Sequence, residues 1–207
     1  MRTLCRSISR ITVLLFFLSG CATVHYDVGL KAVEISAQEK YRGQNIIKGE
    51  EDISKYYFED EIVKIVWTPS TSGGNNIFGI LFVLTNKSDH TVRILWNEAR
   101  FIDMQGKNLR VMSVESYKLL GPRLCPANSQ SNSVVNSNET IKEGVTPFFC
   151  SERHNPTLLI DLFPTTLPIE ELQKKYIGKT IQVILPLQIE NKVDEYYFTF
   201  EVLRIFK

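Results

Sequence analysis

Residues 180–202, TIQVILPLQIENKVDEYYFTFEV, decide the fold. Apolar and polar side chains alternate over the first half of this stretch and again over its last part, with a polar break at residues 190–194 between them. Successive side chains of a β-strand point to opposite faces, so each half predicts a strand with one buried face, and the break predicts a hairpin turn. The buried faces are predicted to carry Ile181, Val183, Leu185, Leu187 and Ile189 in the first strand and Tyr196, Phe198, Phe200 and Val202 in the second.

Shorter segments of the same kind predict the rest of a sheet. They lie at residues 61–67, 77–85, 92–96, 99–102, 108–114, 145–150 and 157–163. Segment 77–85 is apolar on both faces, which indicates a central strand. Residues 164–178 predict a short helix, because Ile169, Leu172 and Tyr176 fall on one face. About eight strands linked by short turns, with one short helix, predict a mainly β fold, an antiparallel β-sandwich.

The first twenty residues have the form of a secretory signal peptide. Three arginines and no acidic residue precede a short apolar run at residues 11–18. The sequence Leu18-Ser19-Gly20-Cys21 follows and resembles the lipobox of bacterial lipoproteins, in which the cysteine is acylated and becomes the first residue. The resemblance implies a lipid anchor at Cys21, and Ala22 in place of Asp implies the outer membrane of a Gram-negative host. The alternatives are an ordinary secreted protein and a core helix that buries Cys21.

These features divide the chain into three parts. Residues 1–20 are predicted to be a lipoprotein signal peptide, residues 21–55 a lipidated tether and lead-in, and residues 56–207 the β-sandwich domain. The tether is predicted because polar and apolar residues mix there without a sustained period. Within it, residues 30–40 weakly predict a short helix, since three apolar residues recur there at helical spacing.

The chain has four cysteines. Cys5 leaves with the signal peptide and Cys21 carries the lipid, so Cys125 and Cys150 remain. An even remainder in an oxidising compartment predicts one disulfide bond between these two. The alternative is a metal-binding or catalytic thiol at Cys150, with His154 beside it. A tetrahedral metal site needs further ligands of this kind, so we expect no bound metal.

Residues 126–140 are the least regular part of the chain, since eight of the fifteen are Asn or Ser. This composition predicts a long exposed loop, and such loops are uncommon unless they are functional or disordered. The predicted disulfide would close it. The region 122–140 is therefore the first candidate for a binding surface, and the alternative is an insertion with no function of its own.

Several stretches resemble the core of a group of uncharacterised bacterial lipoproteins with an immunoglobulin-like β-sandwich. In this group a strand ending in an Asn-Lys or Asn-Asn turn is followed by a Trp-Asn strand and an Asp-x-x-Gly-Lys hairpin. The matching stretches are FGILFVLTNKS at 78–88, ILWN at 94–97 and FIDMQGK at 101–107, and LIDLFP at 159–164 fits the same pattern. The resemblance implies an antiparallel immunoglobulin-like β-sandwich and supplies no activity.

The chemistry of the sequence disfavours several classes of function. Its 24 Lys and Arg against 23 Asp and Glu leave the chain nearly neutral, which disfavours a nucleic-acid partner. The sequence has no hydrolase elbow, metalloprotease motif, phosphate-binding loop or Cys-x-x-Cys pair. The histidines at 25, 90 and 154 are scattered, whereas an activated nucleophile needs a base and an orienting group in contact. We therefore predict a protein that is not an enzyme and has no cofactor.

Two further groups of residues have competing interpretations. The carboxylates at 59–61 lack the spacing of a calcium loop, so we predict a solvated face there. Tyr26, Tyr56 and Tyr57 lie near the predicted tether. Local packing is the first prediction for these tyrosines, and contact with a partner or with the membrane interface is the alternative.

The resulting functional prediction is a lipid-anchored protein of the cell envelope, facing the periplasm or the exterior. We expect it to be a non-enzymatic accessory factor that binds another envelope protein through loops at one end of the sandwich. The alternative is a carrier of a small ligand or glycan that uses a cleft between the sheets. A hydrolase is the least favoured class, and the oligomeric state stays open.

Overall fold

The computed structural model describes residues 24–36, 47–48, 56–69, 79–116, 130–149, 158–159, 163 and 166–207. Several predicted features lie outside these residues: the signal peptide, Cys21, Cys125, Cys150, His154 and residues 122–129. Within the described ranges, no helix has the length and apolarity needed to cross a membrane.

The described residues form thirteen strands and helix α1 (Ile169–Tyr176). The strands are β1 (His25–Ile35), β2 (Ile47–Lys48), β3 (Tyr56–Glu59), β4 (Val63–Pro69), β5 (Ile80–Asn86), β6 (Val92–Ile94), β7 (Arg100–Ile102), β8 (Asn108–Ser113), β9 (Ser133–Val135), β10 (Thr140–Phe149), β11 (Leu158–Leu159), β12 (Thr180–Ile189) and β13 (Lys192–Phe206). Residues 114–116 are also helical. The prediction of a mainly β chain is confirmed.

The strands join into a single antiparallel sheet in the order β1-β13-β12-β7-β8-β10-β5-β4-β3-β2. Beside this path, β6 pairs with both β12 and β9, and β11 pairs with β10. The predicted hairpin at 180–202 is confirmed, since β12 and β13 pair from Thr180 opposite Glu201 to Ile189 opposite Lys192. Its turn is tighter than predicted, because residues 192–194 already belong to β13. The predicted central strand is confirmed as β5, which lies between β10 and β4.

The sheet curls until its two ends approach each other, so it is nearly barrel-shaped. A side-chain carbon added at Gly29 in β1 would lie 3.1 Å from the hydroxyl oxygen of Tyr56 in β3, although β1 and β3 stand near opposite ends of the strand order. Inside the curl, the ring of Trp67 in β4 lies 4.8 Å from that of Phe198 and 5.3 Å from that of Phe200, both in β13. These contacts place the apolar core in the interior of the curled sheet.

The prediction of a tether and a short helix is wrong for residues 25–35. These residues form β1, which pairs with β13 from His25 opposite Phe206 to Ile35 opposite Tyr196. The alternation was hidden because the register shift after Leu30 leaves Lys31 as an extra residue in β1, whereas the shift after Asp27 places its extra residue, Leu203, in β13. The extra residue in β1 moves the following side chains to the other face, so neither a period of two nor a helical period holds over the whole segment.

The prediction of a long loop is wrong for residues 133–135, although most of the described part of residues 126–140 is exposed as predicted. Residues 133–135 form β9, which pairs with β6, and Val135 is fully buried. Gln130 is buried as well. Beyond β9 the chain makes a tight turn at 136–139, where Asn138 adopts a positive φ of 60°. A strand of three residues within an Asn- and Ser-rich stretch leaves almost no periodic signal.

Two local predictions are confirmed in detail. The hairpin at Asp103 joins β7 and β8, and the Asp103 carboxylate accepts hydrogen bonds from the backbone N–H groups of Gln105 and Lys107, each at 2.9 Å. Gly106 in this turn has a φ of 80°, which favours glycine. Helix α1 lies inside the predicted helical window and begins after Pro168, without a side-chain cap.

Antiparallel pairing gathers the turns at two ends of the molecule. The His25 end comprises the first residues of β1, the last residues of β13 and the turn 177–179, where the backbone N–H of Gly178 donates to the carbonyl of Val202 at 2.9 Å. The Asn86 end lies at the other end of β13 and comprises the turns that follow β3, β5, β9 and β12.

Candidate functional site

Asn86 links two turns at the Asn86 end. Its side chain is fully buried, and its Nδ2 donates to the carbonyls of His90 at 2.7 Å and Val135 at 3.0 Å. Its Oδ1 accepts from the backbone N–H and the hydroxyl of Ser88, at 3.0 and 2.8 Å. Its own backbone N–H donates to the carbonyl of Glu139 at 2.9 Å. One side chain thus fixes the shape of its own turn and holds it against the turn at 136–139.

Lys87 connects the same turn to the one between β3 and β4. Its backbone N–H donates to the carbonyl of Ile62 at 2.8 Å, and its Nζ lies 2.6 Å from Oε1 of Glu59 and 2.8 Å from the carbonyl of Asp60. The hydrogen bond from Lys87 holds the pKa of Glu59 below its ordinary value of 4.5, with help from the charges of Lys87 and Lys64. The turn 59–62 is therefore tied to β5 through both backbone and side-chain groups.

Asp60 fixes the turn 59–62 from the inside. Its Oδ1 accepts hydrogen bonds from the backbone N–H groups of Ile62 and Val63, at 2.8 and 2.7 Å. Its Oδ2 accepts from the hydroxyl of Tyr196 in β13 at 3.0 Å. The predicted role of the carboxylates at 59–61 as a solvated face is therefore wrong for Asp60, which is a structural acceptor. Glu61 is exposed as predicted.

The fourth turn, between β12 and β13, joins the others through an ion pair at the surface. Nδ1 of His90 lies 3.0 Å from Oε1 of Glu190, and both side chains are more than half exposed, at 55% and 65%. Just behind this turn, Lys192 pairs with the buried carboxylate of Asp194 at 3.0 Å. We call residues 59–62, 86–91, 136–139 and 190–192 together the turn face.

The turn face is charged, and its shape is fixed before any partner binds. Among its exposed and half-buried residues, carboxylates outnumber lysines: Glu59, Asp60, Glu61, Asp89, Glu139 and Glu190 against Lys87 and Lys192. Its backbone is held by hydrogen bonds between turns, so little ordering would be needed on binding. Mixed charge on a rigid scaffold suits recognition of a folded protein surface.

A second polar cluster is buried and joins β9 to β10. Nε1 of Trp96 donates to the hydroxyl of Ser133 at 2.8 Å, and that hydroxyl donates to Oε1 of Glu143 at 3.0 Å. Burial raises the pKa of Glu143 above its ordinary 4.5, while the hydrogen bond from Ser133 partly offsets the rise. Both the ring of Trp96 and the side chain of Glu143 are buried. The cluster therefore joins strands inside the fold and is a structural element.

Gln130 packs against β8 rather than belonging to an exposed loop. Its Nε2 donates to the carbonyl of Val111 at 2.7 Å, its Oε1 accepts from the backbone N–H of Ser113 at 3.0 Å, and its own N–H donates to Oδ1 of Asn97 at 3.1 Å. Within the predicted binding region 122–140, the described residues therefore offer an exposed turn at 136–139, which belongs to the turn face.

The other residues singled out in the sequence are dispersed. His25 stacks on Phe206 at the His25 end, with ring centres 5.5 Å apart, far from His90 in the turn face. Tyr26 and Tyr56 are buried, so their predicted local packing is confirmed, and the side chain of Tyr57 lies outside the described part. In the portion of the chain that the structure covers, no three His, Cys, Asp or Glu side chains converge as metal ligands.

The comparisons with known proteins give no match: no protein-family model, no curated protein and no solved structure resembles this chain significantly. The candidate site therefore rests on its geometry. Sequence reasoning identified the turn at 86–89 but missed the burial of Asn86. The available signal was an asparagine followed two residues later by serine, a pattern typical of a side chain that bonds its own turn.

Proposed function

We propose that this protein is a lipid-anchored, non-enzymatic component of the cell envelope that binds another envelope protein through its turn face. Acylation at Cys21 would fix the His25 end at a membrane, and the outer membrane of a Gram-negative host is the proposed location. The observation that carries the proposal is the position of β1, which begins at His25, only four residues after Cys21.

This spacing sets the distance between the lipid and the fold. Val24, the first described residue, lies three positions after Cys21, and an extended chain of three Cα-to-Cα steps spans at most about 11 Å. The anchor would therefore hold the sheet against the bilayer surface instead of on a long tether. Strand β13 has 15 residues, or about 45–50 Å of strand, so the turn face would project far from the membrane.

The shape of the turn face supports a protein partner. Three turns from distant parts of the chain are hydrogen-bonded into one surface, the fourth joins it through the pair of His90 and Glu190, and exposed charges of both signs lie on it. Surfaces of this kind give specificity and fast association through charge complementarity, with little loss of backbone freedom.

The interior supports this proposal over the ligand carrier. Trp67 touches Phe82, Phe198 and Phe200, with ring centres between 4.8 and 5.3 Å apart. These rings occupy the middle of the curled sheet, where a cleft for a small ligand or glycan would have to lie. Small-ligand sites are usually concave cavities lined by such side chains, not filled by them.

We also propose that the curled sheet is a flattened, immunoglobulin-like sandwich. The ring of Phe58 in β3 meets those of Tyr196 and Phe198 in β13 edge to face, at 5.9 and 6.0 Å, so the two parts of the sheet face each other across the core. Two facing layers are the defining feature of a sandwich. The resemblance of the segments at 78–107 to sandwich lipoproteins supports the same proposal.

Metabolic labelling tests the lipid anchor. Cells of the native host would be fed an alkyne-bearing fatty acid, and wild type would be compared with Cys21→Ser and with Cys5→Ser as the matched control. We expect label and membrane retention for wild type and Cys5→Ser, and neither for Cys21→Ser. A wild-type protein without acyl label overturns the anchor.

Site-specific photocrosslinking tests the partner. A photoreactive residue would be placed at Asp89 and at Asn191 in the turn face, and at Lys142 and Glu98 as exposed control positions outside it. We expect one shared adduct at the two turn-face positions, absent at the controls and absent in Cys21→Ser cells. An acylated protein that gives no adduct at either turn-face position contradicts the proposed binding role.

A further inference from the structure

The His25 end combines exposed apolar and basic side chains. Three large apolar residues are exposed there, Phe206 at 47%, Ile177 at 47% and Leu203 at 44%. In the described residues the two other exposed large apolar side chains are valines, at 134 and 193. The largest exposed apolar side chains are therefore concentrated at the end of the fold that lies nearest to Cys21 along the chain.

Hydrogen bonds hold these residues in one place. The backbone N–H of Val202 donates to the carbonyl of Lys179 at 2.9 Å, and Nε2 of Gln173 donates to the carbonyl of Ile205 at 2.8 Å. The last turn of α1 and the turn 177–179 therefore lie beside the final residues of β13. His25 stacks on Phe206 from the other side. The segments that carry the exposed apolar side chains thus form one rigid part of the fold.

Positive charge surrounds the same residues. The exposed basic side chains there are Lys174, Lys175, Lys179, Arg204 and Lys207. Arg204 pairs with Asp27 at 2.7 Å and lies 5.9 Å from the ring centre of Phe206. The acidic residues of α1 stand in its first turn, and its lysines stand in the last turn, next to β13. Two partly buried carboxylates, Asp27 and Glu201, lie among these residues, so basic side chains still outnumber acidic ones beside β13, the reverse of the turn face.

We infer that the His25 end is a membrane-contact face, which seats the domain on the anionic bilayer that carries its own lipid anchor. The inference rests on the proposed acylation of Cys21, because that anchor brings the bilayer within about 11 Å of Val24. Basic side chains around exposed aromatic and aliphatic ones are typical of surfaces that lie in the headgroup region. The anchor supplies attachment, and this face sets the orientation.

Quenching by brominated lipids tests the orientation in the full-length, acylated protein. Phe206→Trp would place a tryptophan in the contact face, and Asn191→Trp would place one in the turn face. The native Trp67 and Trp96 are fully buried and give a constant background. In nanodiscs of phosphatidylcholine and phosphatidylglycerol, we expect strong quenching of the Phe206→Trp signal and none of the Asn191→Trp signal.

Charge reversal tests the basic residues. Lys174→Glu with Lys179→Glu, in the Phe206→Trp background, is expected to reduce quenching at least several-fold while the protein stays in the nanodisc. Arg93→Glu with Lys142→Glu reverses two exposed charges elsewhere and should leave quenching unchanged. Near-ultraviolet circular dichroism would verify that each variant is folded.

The two proposals fail in different ways. If the protein is retained in the nanodisc and both tryptophans are quenched equally, or neither is quenched, the membrane-contact face is overturned and the lipid anchor stands. If the full-length protein carries no acyl group and is not retained, the anchor fails, and the inference fails with it.

Discussion

The two ends of the curled sheet differ in how they are built and in what they expose. At the Asn86 end, polar side chains turn inward and bond the turns to one another, and carboxylates dominate the outer surface. At the His25 end, apolar side chains stand in solvent beside lysine and arginine. The turn face is organised by its own hydrogen bonds, whereas the large apolar side chains at the His25 end stay nearly half exposed to solvent.

This contrast indicates that the two ends suit different kinds of binding partner. Exposed apolar residues are ordinary when they are scattered, and they are informative when several large ones cluster with charge of one sign. The rigid, mixed-charge turn face suits a protein partner, and the basic, apolar His25 end suits a lipid surface. An anchor at Cys21 would turn the His25 end toward the membrane and the turn face away from it.

The largest expected effect comes from the core that connects both ends. Trp67→Ala removes a fully buried ring in contact with three phenylalanines, and we expect it to lower the free energy of unfolding by about 3–5 kcal/mol. Urea denaturation would measure this loss, with Leu203→Ala as an exposed control expected to change stability by less than about 0.5 kcal/mol. A loss below about 1 kcal/mol would show that the core is organised differently.

The next effect is confined to the Asn86 end. Asn86→Ala leaves the buried carbonyl of Val135 without its donor and frees the turn at 86–91, so we expect a loss of about 2 kcal/mol. Asn191→Ala, in an exposed turn, is the matched control. Hydrogen exchange should rise at residues 86–91 and 136–139 in the Asn86 variant and stay unchanged at 174–179. Equal loosening of both ends would contradict the role assigned to Asn86.

Strands with regular alternation could be predicted from the sequence, and irregular or very short strands could not. The pairing of β12 and β13 was predicted because regular alternation is a local property of the chain, although β13 extends beyond the predicted 196–202, from Lys192 to Phe206. Strand β1 was missed because an extra residue, Lys31, breaks that alternation. Strand β9 was missed because three residues carry too little pattern.

The candidate site was harder to predict than the sheet. Asn86 and Val135 are 49 residues apart along the chain, and their contact depends on how β5, β6, β9 and β10 are arranged. Spacing within a motif carries no information about such pairs. Likewise, Phe206 and Ile177 are unremarkable in the sequence, and their shared surface emerges only when α1 is placed beside the end of β13.

A smaller effect is expected from the buried carboxyl near β9. Because burial raises the pKa of Glu143 in the folded state, the folded protein binds a proton more tightly than the unfolded chain. Stability should therefore fall as the pH rises from the unfolded value of 4.5 through the raised value. Glu143→Gln should abolish this decline, and Glu98→Gln, at an exposed position, should retain it. Urea unfolding across mildly acidic to neutral pH measures both, and an unchanged decline in Glu143→Gln would refute the assignment.

The smallest effect on stability is expected at the surface of the turn face. The pair between His90 and Glu190 is largely exposed, so Glu190→Lys should change the free energy of unfolding by no more than about 0.5 kcal/mol. The same substitution reverses a charge in the middle of the proposed binding surface, and charge complementarity there governs association. We therefore expect the crosslinked adduct at Asp89 to be lost with Glu190→Lys and kept with Glu98→Lys, which reverses an exposed charge outside the turn face. An adduct at Asp89 that survives Glu190→Lys would show that the charge of Glu190 does not contribute to association, while a loss of folding would show that this turn is held by more than a surface pair.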